Sequence, residues 1–293
     1  MAGGFKGSRP NKVCFYTSFS HYLNTEGQHF KYNNMNRDIK KYISFSGGVE
    51  STAMCVLFGG SADAIFCDTG FEHRRLHEHI QSVILKIQKI HPNFKLITVK
   101  ANAKTNGVIT DSLYKYIQES KFYPSHLARY CTRMFKIKPI DDFLFGEGMA
   151  ELMIGLNADE GERTGNHGNL ANVKYTYPLL DNGITRQACI DILKKADLYP
   201  NYPVYMSRGG CIGCFFKSKK EFKAMAVLNE PEFDMVMELE ESIQDERGKY
   251  FRIRKDMPPL RELKAEAKSS LFKPEEMYLQ EEIYTPCGVF CHR

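Results

Sequence analysis

The chain has 293 residues, of which 43% are hydrophobic and 26% are charged, and its formal net charge is +5. This composition is ordinary for a globular protein, and the length allows one large domain or two small ones. No apolar run approaches the roughly 20 residues that a membrane span requires, and the polar N-terminal stretch has no signal-peptide core. We therefore expect no membrane association and a cytoplasmic location.

Residues 1–40 are polar and have no sustained period, so we interpret them as an N-terminal extension with one short strand at Val13–Tyr16. From 41 to 180, strand-like and helix-like patterns alternate. The predicted strands are Ile43–Ser46, Ala62–Cys67, Phe94–Val99 and Glu151–Leu156, and the predicted helices are Ser51–Phe58, Arg74–Ile90 and Lys136–Phe145. This alternation predicts an α/β domain with a parallel sheet and crossover helices. Ligands of such sheets bind at the carboxyl ends of the strands.

Residues 181–293 favour a mostly helical C-terminal region. The predicted helices are Ile184–Ala196, Lys217–Leu228 and Pro231–Arg247, and a glycine-rich turn lies at Gly209–Cys214. The run Lys249–Lys255 alternates basic residues with aromatic or apolar ones. Such a run can bind a nucleic-acid backbone, but we favour an edge strand with one solvent-exposed face.

A Ser46-Gly47-Gly48 turn follows the first predicted strand, and a helical pattern begins immediately after it. Two glycines remove the Cβ atoms that would keep an anion from backbone N–H groups, and the helix adds its positive N-terminal end. A Walker A sequence is absent. The turn therefore predicts a nucleotide-phosphate site of another kind.

Five segments, in order over about residues 42–225, resemble the phosphoadenosine phosphosulfate (PAPS) reductase family of PP-loop ATP pyrophosphatases, particularly its phage- and bacteria-encoded members. The segments are SGGVES at 46–51, FCDTGFE at 66–72, YCTRMFKIKP at 130–139, IGLNADEGER at 154–163, and YPLL at 177–180 with GGCIGCF at 209–215. Glu50 stands where the family usually has Asp, and Asn157 replaces a usual Arg. The resemblance implies a Rossmann-like domain of the adenine nucleotide alpha-hydrolase type over 41–180.

The resemblance also implies roles for particular residues. The residues implied for binding ATP or PAPS are Ser44, Ser46, Gly47, Gly48, Glu50, Ser51, Asp68, Thr69, Arg133 and Lys138. The residues implied for catalysis are Lys136, Asp159, Arg163 and Cys287. Arginine suits bidentate phosphate contact and lysine acts as a point charge. Either Asp159 or Glu160 would hold Mg²⁺ or orient Arg163, and Asp68 is equally a ribose or metal ligand or a helix cap.

Eight of the nine cysteines fall into two groups of four. We interpret Cys14, Cys55, Cys67 and Cys189 as small buried hydrophobic residues, because they lie in apolar or amphipathic stretches. Cys211 and Cys214, with glycines beside them, can turn two thiolates toward one centre, and Cys287 and Cys291 with His292 form a second set. The two sets could complete one zinc site or a [4Fe-4S] cluster. Cys131 could instead join Cys211 and Cys214 in a three-cysteine cluster like that of related tRNA-thiolating enzymes.

Two further patterns lie in the C-terminal tail and in a group of three histidines. The tail at 285–292 shares a Cys-Gly pair and a nearby His with the catalytic tail of PAPS reductases, but it lacks the Glu and the spacing. If that likeness holds, the Cys287 thiolate would attack the sulfate sulfur. His73, His77 and His79 share one predicted helix, which we interpret as a solvent-exposed basic face because no HExxH pattern accompanies them.

The leading hypothesis is an enzyme that cleaves an adenine nucleotide at the α-phosphate and adenylates a substrate oxygen. This step would drive sulfur transfer to a nucleoside or nucleic-acid acceptor, with a separate sulfur donor. The first alternative is thiol-dependent reduction of PAPS to sulfite, and the second is a non-catalytic nucleotide- or nucleic-acid-binding module with structural zinc. The sequence leaves oligomer formation open.

Overall fold

The computed structural model describes residues 39–163, 170–207, 210–243, 251–269 and 273, without the side chains of 161–163. Its strands are β1 (Lys40–Phe45), β2 (Asp63–Asp68), β3 (Leu96–Lys100), β4 (Ala103–Thr105), β5 (Val108–Thr110), β6 (Ala150–Met153) and β7 (Val173–Thr176). Five of them form one all-parallel sheet in the order β3-β2-β1-β6-β7, and β4 and β5 form a separate hairpin. The predicted α/β class with a parallel sheet is confirmed.

The sheet is built from short apolar strands that helices cover on both faces. In β2, the run Ala64–Cys67 is buried throughout, as expected for a strand that has no face in contact with water. All four predicted strands are present within a few residues of their predicted bounds. We did not predict β7 or the β4–β5 hairpin, because each is only three or four residues long and carries little periodic signal.

The helices are α1 (Val49–Phe58), α2 (Arg74–Ile90), α3 (Leu113–Ser120), α4 (Tyr130–Thr132), α5 (Lys138–Gly146), α6 (Pro178–Asp181), α7 (Arg186–Lys195), α8 (Lys219–Leu228), α9 (Glu230–Ser242) and α10 (Leu260–Ser269). Helix α2 has the predicted bounds, because its apolar positions recur at helical spacing over its whole length. A π-helical turn, Arg133–Ile137, joins α4 to α5. Helix α9 ends five residues before the predicted Arg247, and Ile243 after it is extended.

The predicted edge strand at Lys249–Lys255 is wrong for the part that the structure describes, 251–255, which has no strand. Ile253 is buried, and its N–H donates 3.0 Å to the carboxylate of Glu240 rather than to a neighbouring strand. The Arg254 guanidinium donates to the Lys217 carbonyl at 3.0 Å. The alternation of side chains therefore reflects an irregular segment that is packed against α9.

The order of the strands positions the site. The chain runs outward from β1 through β2 to β3, and then crosses to β6 on the other side of β1. The carboxyl ends of β1 and β6 therefore flank a topological switch point, where open α/β sheets bind their ligands.

From Lys40 onward the described residues belong to one compact unit, and its main core joins both predicted regions. Phe222, Phe233 and Leu260 of the helical region are buried in the same cluster as Phe66 of the sheet. Packing therefore continues across the predicted boundary at residue 180. In the described part of the chain, no helix has both the length and the apolar character to span a bilayer. Val13–Tyr16, Cys14, Cys287, Cys291 and His292 lie outside the described residues.

Candidate functional site

The Ser46-Gly47-Gly48 turn connects β1 to α1 at the carboxyl edge of the sheet. Gly47 has φ +75°, a conformation that disfavours side chains, and a Cβ there would lie 2.8 Å from Leu76 Cδ1. The Ser51 hydroxyl accepts from the Ser46 N–H and donates to the Gly48 carbonyl, both at 3.2 Å. These bonds hold the turn in shape, while Ser46 is exposed at the N-terminal end of α1, where an anion is favoured. Ser44 lies within β1, paired with Ile65.

Glu50, in the first turn of α1, is engaged by groups from two other elements. Its carboxylate forms an ion pair with Arg186 at the start of α7 and accepts from Asn157 Nδ2 at 3.3 Å. Both members of the ion pair are mostly buried, with side chains 18% and 21% exposed. Glu50 is therefore neutralised by a cation of this chain.

The loop after β6 meets the phosphate loop at the switch point. A Cβ at Gly155 would lie 3.4 Å from the Ser51 N atom, so the two loops are in close approach. Asp159 is exposed, and its carboxylate accepts from the Arg186 N–H at 2.9 Å. Asn157 accepts from the Asp159 N–H at 2.9 Å. Asp159 thus binds the first N–H of α7, whose N-cap residue is Thr185, and the Arg163 side chain lies outside the described residues.

The turn after β2 is organised by the buried carboxylate of Glu72. It accepts from the Thr69 N–H at 3.0 Å, the Thr69 hydroxyl at 2.6 Å and the Phe71 N–H at 3.2 Å. Burial raises the pKa of Glu72, and the charge of Lys136 opposes that rise. Glu72 was not among the predicted site residues, although a Thr-Gly-x-Glu run after a strand is consistent with a carboxylate that closes such a turn.

Asp68, at the end of β2, does not cap α2, whose N-cap residue is His73. It accepts from the Gly70 N–H at 2.9 Å and pairs with Lys100 at 3.4 Å. The ligating atoms of Asp68, Glu72 and His77 all lie within 4.8 Å of one another. Two carboxylates and an imidazole can hold a divalent cation, although Lys100 and the turn's own donors compete for the carboxylate oxygens.

The three cations of the 133–138 segment point to different places. Lys136 lines an apolar cavity, Lys138 forms an exposed ion pair with Asp142 at 2.8 Å, and Arg133 is exposed. The π turn carries this segment past β2, where the Cys67 thiol donates to the Phe135 carbonyl at 2.8 Å. Such turns are enriched at functional sites because they shift side chains out of helical register. Only Lys136 of the three lines the cavity.

Three cysteines line that cavity: Cys131 from α4, and Cys211 and Cys214 from the glycine-rich turn. The other lining residues are mainly apolar and aromatic, and include Phe71, Leu113, Ile117, Tyr123, Pro124, Phe215 and Phe216. Burial raises the pKa of Cys131 and of Cys211, and in both cases the charge of Lys136 opposes the rise. Cys211 Sγ lies 4.0 Å from Glu72 Oε1. Tertiary structure thus joins thiols that are 80 positions apart in the chain.

The spacing of these thiols bears on which metal group they suit. Ligands about 2.3 Å from one tetrahedral zinc ion lie within about 4 Å of one another. Among the described residues, the three cysteines do not form a set whose atoms all lie within 4.8 Å. An iron–sulfur cluster binds each thiolate through a different iron, so it accepts thiols that lie farther apart than the ligands of one zinc ion. Cys287 and Cys291, the other predicted ligands, lie outside the described residues.

One leucine side chain separates the phosphate loop from the cysteine turn. Leu76 of α2 places Cδ1 beside Gly47, and a Cβ at Gly210 would overlap its Cδ2. The His73 N–H also donates to the Gly210 carbonyl at 2.7 Å, which ties the turn to the start of α2. The turns at Gly47 and Gly210 therefore contact different methyl groups of one leucine side chain.

The predicted exposed basic face of His73, His77 and His79 is wrong for two of its members. His73 is fully buried and hydrogen-bonded through Nδ1 to Glu232 of α9, and burial lowers its pKa to about 4. His79 packs edge-on against the ring of Tyr202, and burial lowers its pKa to about 4 as well. The reason is that the C-terminal region covers this side of α2, which the sequence pattern did not reveal. His77 is partly exposed.

No protein-family model matches the chain, and no curated protein matches its sequence.

Proposed function

We propose that this protein is a PP-loop enzyme of the PAPS reductase type, which binds an adenine nucleotide at 46–51 and cleaves it between the α- and β-phosphates. The observation that carries the proposal is the position of Leu76, between Gly47 of the phosphate loop and Gly210 of the cysteine turn. A phosphate site and three thiols that adjoin across one side chain suit an activation step followed by sulfur chemistry.

In the activation step, an oxygen of the acceptor attacks the α-phosphorus of ATP. The new O–P bond replaces the bond to the β-phosphate oxygen, and pyrophosphate leaves with its electron pair. The loop amides at Gly47 and Gly48 and the N-terminal end of α1 would stabilise the departing pyrophosphate, while Lys136 would balance negative charge near the cavity. Magnesium would accompany the nucleotide, and because Glu50 is paired with Arg186, the Asp68, Glu72 and His77 set is the better protein anchor for it.

In the second step, a hydrosulfide ion attacks the adenylated carbon. A C–S bond forms, the C–O bond breaks, and AMP leaves with the oxygen. Cys131, Cys211 and Cys214 would hold an iron–sulfur cluster whose chemistry is to bind the sulfur for transfer. The apolar lining would keep water from hydrolysing the adenylate.

The test is turnover of ATP labelled at the α-phosphate by anaerobically purified protein, with iron and sulfide assays. We expect AMP and pyrophosphate, and loss of both in Gly47→Ala, because φ +75° and Leu76 exclude a side chain there. Gly146→Ala is the matched control, since nothing lies within 4 Å of a Cβ at that position. Release of sulfite from PAPS, with no turnover of ATP, would favour the reductase alternative over adenylation. In that case Cys287→Ser should abolish sulfite release. Tight nucleotide binding with no product would favour the non-catalytic alternative.

A further inference from the structure

The outer wall of the cysteine cavity is formed by residues 121–130, which comprise the irregular connection 121–129 between α3 and α4 and Tyr130, the first residue of α4. Tyr123, Pro124 and Arg129 of this loop line the cavity beside the cysteines. An acceptor that reached the cavity from this side would meet the loop first, so the surface chemistry of the loop bears on what the acceptor is.

The loop presents rings and apolar groups to water. Phe122 is 53% exposed and stacks on Tyr130, with ring centroids 5.6 Å apart, and Leu127 is fully exposed. The exposed His126 ring packs edge-on against Phe215 and Phe216 of the cavity lining, at 5.1 and 4.7 Å. Flat rings at a cavity entrance are what unpaired nucleobases stack on.

The same region carries only positive formal charge. Between Glu119 and Asp141 the sequence contains no acidic residue. It contains the cations Lys121, Arg129, Arg133, Lys136 and Lys138, besides His126. Lys121 and Arg133 are exposed, and the Arg129 guanidinium lies over the Phe216 ring at 5.6 Å. A cationic surface interleaved with rings is complementary to a phosphate backbone that bears bases, whereas a purely apolar partner would leave these charges unused.

The loop is braced rather than loose. The buried Tyr123 donates to the Gly213 carbonyl at 2.6 Å, and its ring stacks on Phe251 at 5.5 Å. A turn closes the tip, where the Ser125 N–H donates to the Ala128 carbonyl at 3.1 Å. A preorganised loop loses less conformational freedom when a ligand binds. Phe251 belongs to the run Lys249–Lys255, for which nucleic-acid binding was one interpretation. In the structure its ring packs against Tyr123 and so stabilises the loop.

We propose that residues 121–130 bind single-stranded nucleic acid and direct an unpaired base toward the cysteine cavity. This inference rests on the proposed function for the reaction that follows, but binding itself is independent of nucleotide turnover. The backbone phosphates are contacted by Lys121, Arg129 and Arg133, and bases stack on the rings of Phe122 and His126.

The test is fluorescence anisotropy of the full-length protein with labelled single-stranded RNA and DNA oligonucleotides of mixed sequence and with a duplex control. The double variant Phe122→Ala, His126→Ala should weaken single-strand binding about tenfold or more, because each lost stacking platform serves one base. Phe145→Ala, which removes an aromatic ring that is 74% exposed outside the loop, is the matched control and should bind like the wild type.

A second pair of variants tests the phosphate contacts through the slope of log binding constant against log salt concentration. Lys121→Ala with Arg133→Ala should lower the magnitude of that slope by about 1.4, or about 0.7 for each lost phosphate contact. The charge-matched pair Lys89→Ala with Lys220→Ala, both exposed, should leave the slope unchanged.

The inference is overturned if the duplex binds as tightly as single strands, if wild type binds neither, or if the loop variants bind like the wild type. Pyrophosphate release from ATP, measured on the same proteins, distinguishes a failure of this inference from a failure of the proposed function. ATP turnover without single-strand binding refutes the loop's role alone, and single-strand binding without ATP turnover refutes the proposed reaction alone.

Discussion

The hydroxyl of Tyr202 donates a 2.9 Å hydrogen bond to the carbonyl of Gly47, so a residue of the C-terminal region holds the phosphate loop. The Tyr202 ring also packs against His79 of α2, with centroids 4.9 Å apart. The loop is therefore not shaped by its local sequence alone, and a residue beyond 180 contributes to the proposed nucleotide site.

Tyr202→Phe should weaken nucleotide binding several-fold while preserving the ring contact. The loss of a neutral hydrogen bond should reduce the free energy of unfolding by about 0.5–1.5 kcal/mol. Calorimetric titration with a non-hydrolysable ATP analogue measures the first effect and urea unfolding the second. Tyr202→Leu removes ring and hydroxyl together and should cost more in both. Equal nucleotide affinity in wild type and Tyr202→Phe would contradict a positioning role.

Gly213→Ala should disrupt the cysteine turn. A Cβ there would overlap the Tyr123 hydroxyl and lie 2.9 Å from Phe71 Cζ, and both side chains are buried. Overpacking of this kind costs about 1–3 kcal/mol in the free energy of unfolding, and the displaced turn should bind less iron. Gly146→Ala is again the control and should unfold at the same or higher urea concentration. A Gly213→Ala protein with wild-type iron content and stability would contradict the prediction, because the turn would then accommodate the added methyl group at little cost.

Glu50 and Arg186 should be energetically coupled. Each side chain is mostly buried, so truncating one leaves the other charge poorly solvated. We expect Glu50→Gln and Arg186→Met each to destabilise the protein, and the double variant to lose less than their sum by about 1–3 kcal/mol. Urea unfolding of the four proteins completes the cycle. Additive effects would mean that the ion pair does not persist in solution.

Lys136 should set the reactivity of the cavity thiols. Its charge opposes the rise that burial causes in the pKa of Cys131 and of Cys211, so Lys136→Met should raise both pKa values further. In the metal-free protein, alkylation of these cysteines by iodoacetamide at pH 8, mapped by mass spectrometry, should slow in that variant. Cobalt affinity at pH 7 should fall by about tenfold for each pKa unit gained by a ligand thiol, because each thiol must lose its proton.

Lys138→Met removes the same charge two positions away, but the Lys138 ammonium is paired with Asp142 at the surface. Alkylation and cobalt binding should stay at wild-type levels in this variant. Equal effects of both substitutions would point to the net charge of the protein rather than to the position of Lys136.

His73 should make stability depend on pH between about 6.5 and 4. Burial lowers its pKa from 6.5 to about 4, so the unfolded chain takes up a proton in this window that the folded protein excludes. The free energy of unfolding therefore falls as the pH drops, by about 2 kcal/mol between pH 7.5 and 5 for one such histidine. His73→Gln should flatten that slope even if it lowers stability at pH 7.5. An unchanged slope, measured by urea unfolding at both pH values, would contradict the buried, neutral state.

The sequence predicted the elements whose periodicity is strong and local. Helix α2 has apolar residues at helical spacing from end to end, and the buried β2 is a continuous apolar run between turn residues. The Ser-Gly-Gly turn was predicted because two glycines between a strand and a helix allow a tight turn whose backbone N–H groups an anion can approach. Short elements such as β7 were missed, since four residues carry too little pattern to separate them from a loop.

The sequence by itself determined the α/β class and selected the Ser-Gly-Gly turn and the cysteines as candidate site residues, because each depends on residue type and local spacing. Only the tertiary structure decided which of those residues meet. Long-range packing placed Cys131 in the lining of one cavity with Cys211 and Cys214. It also paired Glu50 with Arg186 and buried His73 against Glu232. These contacts join residues far apart in the chain, and their energy comes from burial and charge pairing in the folded state, which no local pattern encodes.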